Sequence, residues 1–168
     1  MIQEFNNYSP QIDKTAFVSE HACVIGDVKI GKNSSVWPGA IIRADFARIE
    51  IGNNSQVEDN CILHSGGLQV IGDNVHIGHG AVVHCSKIGN NVLIGINATI
   101  LDNAEIGSFC VIGANSLVSE DMIIPDKSFV VGVPARIKGE VSQELIDRIE
   151  SGVSAYVKLG QEYKKYKL

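Results

Sequence analysis

Residues 71–118 read IGDNVH, IGHGAV, VHCSK, IGNNVL, IGINAT, ILDNAE, IGSFCV, IGANSL, with a new unit opening at Val118. An aliphatic residue returns at 71, 77, 83, 88, 94, 100, 106, 112 and 118, with one five-residue unit among units of six. Gly follows that aliphatic residue in six of the eight complete units. A period of six fits neither the 3.6 of a helix nor the alternation of a half-buried strand. It is an internal repeat, and a repeat has to be read before single elements are assigned. Each unit is a short strand with one inward aliphatic side chain, and Gly serves where the backbone bends or is closely approached. Three units close a triangular coil of about 18 residues, and coils stack at the sheet spacing of about 4.8 Å. The fold class is therefore an all-β solenoid.

The stretch resembles the hexapeptide-repeat proteins, and that resemblance implies a left-handed parallel β-helix. The period alone does not give the hand, since parallel crossovers are otherwise right-handed.

Working outward, Ala16 to Val18, Ile25-Gly26, Ile30-Gly31, Val36 and Ile42 carry the same period towards the N-terminus. Residues 43–52 (RADFARIEIG) are slightly too long for it, which predicts a small loop or bulge. Ile51, Val57 and Leu63 resume the spacing, and Ser65-Gly66-Gly67 forms a short loop before Ile71. Residues 1–11 read as an irregular entry arm, and after Val118 the pattern dissolves towards Pro125 and Pro134, which stop regular pairing. Ser142 reads as an N-cap with Glu144 in the first turn. Leu145, Ile149, Val153, Tyr156 and Tyr163 mark one face of a C-terminal α-helix, weakened locally by Gly152 and Gly160. The Lys-rich run at 164–167 suits that helix's negative end. A single domain is expected over 1–168, with the β-helix over about 12–135 and the helix over about 142–167. The helix covers the solenoid of its own or a neighbouring subunit.

The net charge of −5 and the lack of a basic block before the last residues argue against a nucleic-acid partner. No apolar stretch has membrane-spanning length, and the start MIQEFNNYSP does not read as a secretory signal, so a cytoplasmic protein is expected. Cys23, Cys61, Cys85 and Cys110 form no CxxC pair and read as free thiols packed as small core residues. The alternative is Cys85 as a metal ligand beside His84.

The five histidines separate by their place in the repeat. His64 follows the inward Leu63 and His84 follows Val83, one coil apart, so both stand on one face about 5 Å from each other. Two imidazoles so placed can share a metal ion at Zn–N distances of about 2.0–2.1 Å. Arg43 follows Ile42 and heads the same column. His79 sits one unit before His84, on another wall, out of reach of that ion within its own chain. A three-fold trimer would bring it to a neighbour's column, placing a metal at each subunit interface. His21 and His76 lie outside the column and read as structural or solvated.

Taken together, Arg43-Ala44-Asp45, Ser55-Gln56-Val57-Glu58-Asp59, Leu63-His64, Ile77-Gly78-His79-Gly80-Ala81, His84-Cys85 and Leu93-Ile94-Gly95 resemble the γ-class carbonic anhydrases. Ile100-Leu101-Asp102, Gly132-Val133-Pro134-Ala135 and the final helix extend the resemblance over nearly the whole chain. It implies a homotrimer with interfacial sites in which His64, His79 and His84 hold the metal and Arg43 and Asp45 form an interface ion pair. Asp59 matches the acidic residue beside the site. Two departures stand out. Gln56-Val57-Glu58-Asp59 replaces the family's Asn-x-Gln-Asp, so the residue orienting water is a carboxylate at 58, with an amide two positions earlier at Gln56. Phe46 and the short loop after His64 leave no room for the family's extended acidic loop with its proton-shuttling Glu.

The resemblance implies hydration of CO2 to bicarbonate. Zinc is the expected ion, with Fe2+ or Co2+ also suited to three His ligands. Glu58 or Gln56 would orient or deprotonate the nucleophile, with direct metal ligation by Glu58 as the alternative, and Asp59 would pass protons outward. Asp102 is expected to satisfy turn amides, and Tyr156 to pack in the core. Two competing functions remain open at this stage: a hexapeptide acyltransferase or metal-dependent acyl-CoA thioesterase, and a catalytically silent metal-binding trimer or scaffold.

Overall fold

The computed structural model describes residues 1–166. The chain winds into a left-handed parallel β-helix of about seven turns with one C-terminal helix. One wall is an eight-stranded sheet that runs from Phe17–Val18 through Ser35–Val36, Gln56–Val57, His76–Ile77, Leu93–Ile94, Val111–Ile112 and Ser128–Gly132 to Ala135–Glu140. The other two walls share a 12-stranded sheet, because Cys23–Ile30 and Ile41–Ile51 each turn a corner without losing strand geometry. On the second wall Ile62–His64, Val82–Val83, Thr99–Ile100 and Leu117–Val118 stack in register. On the third, Gln69–Ile71, Lys87–Ile88, Glu105–Ile106 and Ile123–Ile124 do the same.

The six-residue period is the core. Ile71, Ile77, Val83, Ile88, Ile94, Ile100, Ile106, Ile112 and Val118 are all at most 1% exposed. Small residues share the interior with them: Cys61, Ala81, Cys85, Ala98, Ala104 and Cys110 are each 0% exposed. Burial pushes the Cys61 and Cys85 thiols up to about 12, so Cys85 is a core residue and no candidate ligand.

The corners explain residues that the aliphatic period leaves out. Asn33, Asn54, Asn74 and Asn91 hold positive φ at one corner, a conformation Asn tolerates better than other residues with a side chain. Their amides bond from coil to coil: Asn54 Nδ2 donates to Asn74 Oδ1 at 3.1 Å and Asn74 Nδ2 to Asn91 Oδ1 at 3.0 Å. The glycine after the inward Ile has a different cause. A Cβ on Gly72 would lie 2.7 Å from the carbonyl oxygen of Gly89 and 2.4 Å from Asn90 Oδ1. Asn90 can swing away, but the backbone of the next coil cannot. Gly72→Ala is expected to destabilise the protein by about 1–3 kcal/mol, read as a lower midpoint of denaturant unfolding. An unchanged midpoint would mean that the coils part locally without cost.

Both ends of the solenoid extend past the expected 12–135. Ile2–Gln3 pairs in parallel with Val24-Ile25, and Gln11–Ile12 with Lys29-Ile30, so the N-terminal arm is itself a rung. After Val118, Ile123–Ile124 and Ser128–Gly132 still pair, and Ala135–Glu140 folds back antiparallel on the latter. Pro125 and Pro134 fall between these strands and therefore interrupt no ladder. The expected irregularity at 43–52 is a bulge. Ala44 pairs with Gly26 and Ile49 with Val28, leaving residues 45–48 to arch outward.

Helix α1 (Gln143–Tyr166) starts at the expected cap, with Leu145 N donating to Ser142 Oγ at 3.3 Å. It lies against the eight-stranded wall of its own chain. Ile149 and Val153 pack beside Val111 and Val141, and further along Tyr156 and Tyr163 meet Trp37 with centroids 5.4 and 5.0 Å away. A Cβ at 160 would stand 3.4 Å from Phe17 Cβ and one at 152 would stand 3.7 Å from the His76 ring, ordinary van der Waals contacts that place this face of the helix directly on the wall. Lys164 Nζ donates to the Lys14 carbonyl at 2.6 Å, while Lys167 of the basic run lies outside the described residues.

Candidate functional site

Parallel register builds the histidine column. Ile42 pairs with Leu63 and Arg43 with His64, and Leu63 pairs with Val83 one coil on. His64 and His84 therefore face each other with centroids 5.0 Å apart and His64 Nδ1 3.0 Å from His84 Nε2. The outer nitrogen of each ring meets a carboxylate. His64 Nε2 lies 3.0 Å from Asp45 Oδ1, and His84 Nδ1 lies 3.0 Å from Asp102 Oδ1. Such pairs fix ring orientation and raise the basicity of the inner nitrogen. Asp45 Oδ2 accepts from Arg43 Nη1 of the same chain. Burial alone would raise the Asp45 carboxyl, but hydrogen bonds from Arg43 and His64 outweigh it and hold the group below its ordinary value. Phe46, on the bulge, covers His64 with ring centroids 5.6 Å apart.

His79 is placed separately, on the turn that leaves the strand His76–Ile77. Its backbone N–H donates to Glu58 Oε2 at 3.0 Å, and its Nε2 stands 3.1 Å from the same oxygen. Its Nδ1 lies 3.0 Å from Asp59 Oδ2 without the alignment of a hydrogen bond. Among the described residues of the single chain, no group of three His, Cys, Asp or Glu side chains is arranged to hold a metal ion.

The Glu58 side chain is 4% exposed. Its Oε1 meets His76 Nε2, and Tyr156 of α1 packs edge-on against the His76 ring. Burial would raise the Glu58 carboxyl, whereas His76 and Tyr156 donate to the charged form and bring it below its ordinary value. The same contact, together with burial, raises the Tyr156 hydroxyl.

One sequence expectation changes here: Asp102 holds His84 instead of turn amides. Tyr156 packs on Trp37 as expected of a core residue, and also on the ring of His76. Of the two readings of His76, structural or solvated, the structural one stands, since His76 is tied to Glu58. A signal for His76 was present, since it stands one coil from Gln56, in the pairing that sets Ile77 beside Val57. Gln56 does not join the group: it is 0% exposed on the helix-covered wall, with its amide donating to the Asn54 carbonyl.

Residues 85–120 match the family model for the bacterial transferase hexapeptide (six repeats). Over 93% of this chain and 99% of its own length, a Methanocaldococcus jannaschii protein named probable carbonic anhydrase is 47% identical. The chain belongs to the γ-class carbonic anhydrase-like family of hexapeptide-repeat proteins. The mitochondrial gamma carbonic anhydrase 2 of Arabidopsis thaliana is 35% identical over 91% of this chain, which spans 58% of the plant protein. A Bacillus cereus crystal structure described as an acetyltransferase superposes with a TM-score of 0.95 at 36% identity, covering 99% of this chain and 98% of that one. Family membership thus fixes the scaffold, while the activities named for similar proteins fall into two chemistries.

Proposed function

We propose that the protein catalyses reversible hydration of CO2 to bicarbonate as a homotrimer, with one divalent ion held at each subunit interface by His64 and His84 of one chain and His79 of the next. The observation that carries this reading is the pair of ring nitrogens, His64 Nδ1 and His84 Nε2, facing each other at 3.0 Å while carboxylates hold both outer nitrogens. Neutral imidazoles of this kind suit zinc, and ferrous iron or cobalt equally accept them. When bound, the dication supplies a Lewis acid that makes water acidic near neutral pH.

The chain's own residues supply the rest. Asp45 and Asp102 keep the two column rings aimed inward. Glu58 is largely ionised at neutral pH, given its lowered carboxyl, and is positioned beside His79 to orient water and take the proton lost as the C–O bond forms. Asp59, with a side chain 39% exposed, offers that proton a way to solvent. Carbon dioxide and water thereby become bicarbonate and one proton, and in this short-loop chain the proton leaves by Glu58 and Asp59.

One observation favours a second reading, metal-dependent thioester hydrolysis. A cleft of about 820 Å³ runs from Glu58 and His79 between α1 and the wall, lined further on by Leu93, Ile96, Val111 and Leu145. Stopped-flow CO2 hydration on protein of known metal content decides between them. Fast hydration that disappears when the metal is removed is the expected result. A fully metallated trimer that hydrates no CO2, whether loaded with zinc or iron, would overturn the reading and make acyl-CoA hydrolysis the next assay.

A further inference from the structure

The C-terminal helix is tied to the candidate site through one histidine that the metal does not need. His76 Nε2 faces Glu58 Oε1 while Glu58 Oε2 faces His79, so the two oxygens of one carboxylate look in opposite directions. The His76 ring is in turn gripped from the helix. The Tyr156 ring meets it edge-on at a centroid distance of 4.9 Å and an interplanar angle of 80°. The His76 side chain is 14% exposed and that of Glu58 4%, so water does not compete well for these bonds.

We infer that His76, its ring packed against Tyr156, is a positioning residue that holds Oε1 of Glu58 and so leaves Oε2 as the oxygen presented to the reacting water. The inference rests on the reading of Glu58 as the group that orients or deprotonates water. It assigns α1 a part in the chemistry as well as in covering the solenoid. A free Glu side chain would rotate about its terminal bond and divide its time between orientations. Donors on one oxygen remove that freedom before substrate arrives, which is the preorganisation that catalytic constellations need.

The test compares His76→Leu, which keeps bulk and removes the donor, with His76→Gln, which restores an N–H at a similar reach. In the zinc-loaded protein, His76→Leu is expected to lower kcat for CO2 hydration by about 10–100-fold, with KM, zinc content and unfolding midpoint unchanged. His76→Gln is expected to regain most of the loss. A readout independent of turnover accompanies it: the imidazole N–H proton of His76 in the zinc-loaded protein, observed by NMR. That proton is expected to exchange slowly with solvent in the wild type and rapidly in Glu58→Ala. An unchanged kcat in His76→Leu, or a Gln variant as impaired as the Leu variant, would reduce His76 to packing. If the wild type hydrates no CO2, the proposed function fails by itself and the NMR signal alone decides the clamp. A fast-exchanging His76 proton in the wild type would overturn it.

Discussion

His79→Ala protein is expected to fold and stay intact as a solenoid, lose its metal, and hydrate CO2 at least about 100-fold more slowly than the wild type, a larger loss than residues supporting a metal site typically cause. The fold should survive because His79 contributes nothing to the interior. It stands on a turn with a side chain 46% exposed, between the buried Ile77 and Ala81 that hold the coil in place. Truncating such a side chain changes stability by no more than about 0.5 kcal/mol. The metal should be lost because two imidazoles alone leave the ion half open to solvent, and the donors around them are already engaged: Asp45 with Arg43 and His64, Asp102 with His84. Metal content by elemental analysis and hydration by stopped flow read the two effects separately. Retained metal and retained hydration would remove His79 from the site. Retained metal with lost hydration would instead place His79 with Glu58 in handling the proton.

How far the sequence alone leads depends on whether a residue's role lies along the chain or across it. The inward Ile71-to-Val118 series is legible because every inward position of a solenoid meets the same surroundings, so one environment is written many times. The column of Arg43, His64 and His84 is legible for the same reason, since register converts a sequence offset into a position on a wall. The Asn corner ladder was there to read as well, as Asn33, Asn54, Asn74 and Asn91 recur at coil spacing, but an aliphatic period draws attention away from polar corners. The clamp on Glu58 was not legible. Tyr156 packs on the His76 ring only because α1 folds back over the wall, and no repeat specifies where that helix lies. Asp102 was misread for a related reason. Two residues past Ile71, Ile88 and Ile106 the side chains of Asp73, Asn90 and Ser108 do accept turn amides, but Asp102 lies past the inward residue of another wall, where the imidazole of His84 on the coil before is its partner.

The division of ligands between chains makes a sharper prediction than the loss of any one of them. In His79→Ala trimers every site keeps His64 and His84, and in His84→Ala trimers every site keeps His79. Neither should work alone. When the two proteins are unfolded together and refolded as a mixture, a site is whole wherever a His79→Ala chain supplies the column and a His84→Ala chain supplies His79. In a ring of three identical heterologous interfaces, every mixed trimer contains one such site, so random association should restore about a quarter of wild-type activity. The same proportion should appear in bound zinc. The yield follows from geometry: the column stands on one wall, while His79 leaves the turn after a strand of another. If all three histidines served one ion within a single chain, every chain in the mixture would lack a ligand and mixing would restore nothing. Recovery near a quarter therefore establishes a shared site even where the absolute rate of hydration is low, and no recovery from properly mixed trimers overturns it.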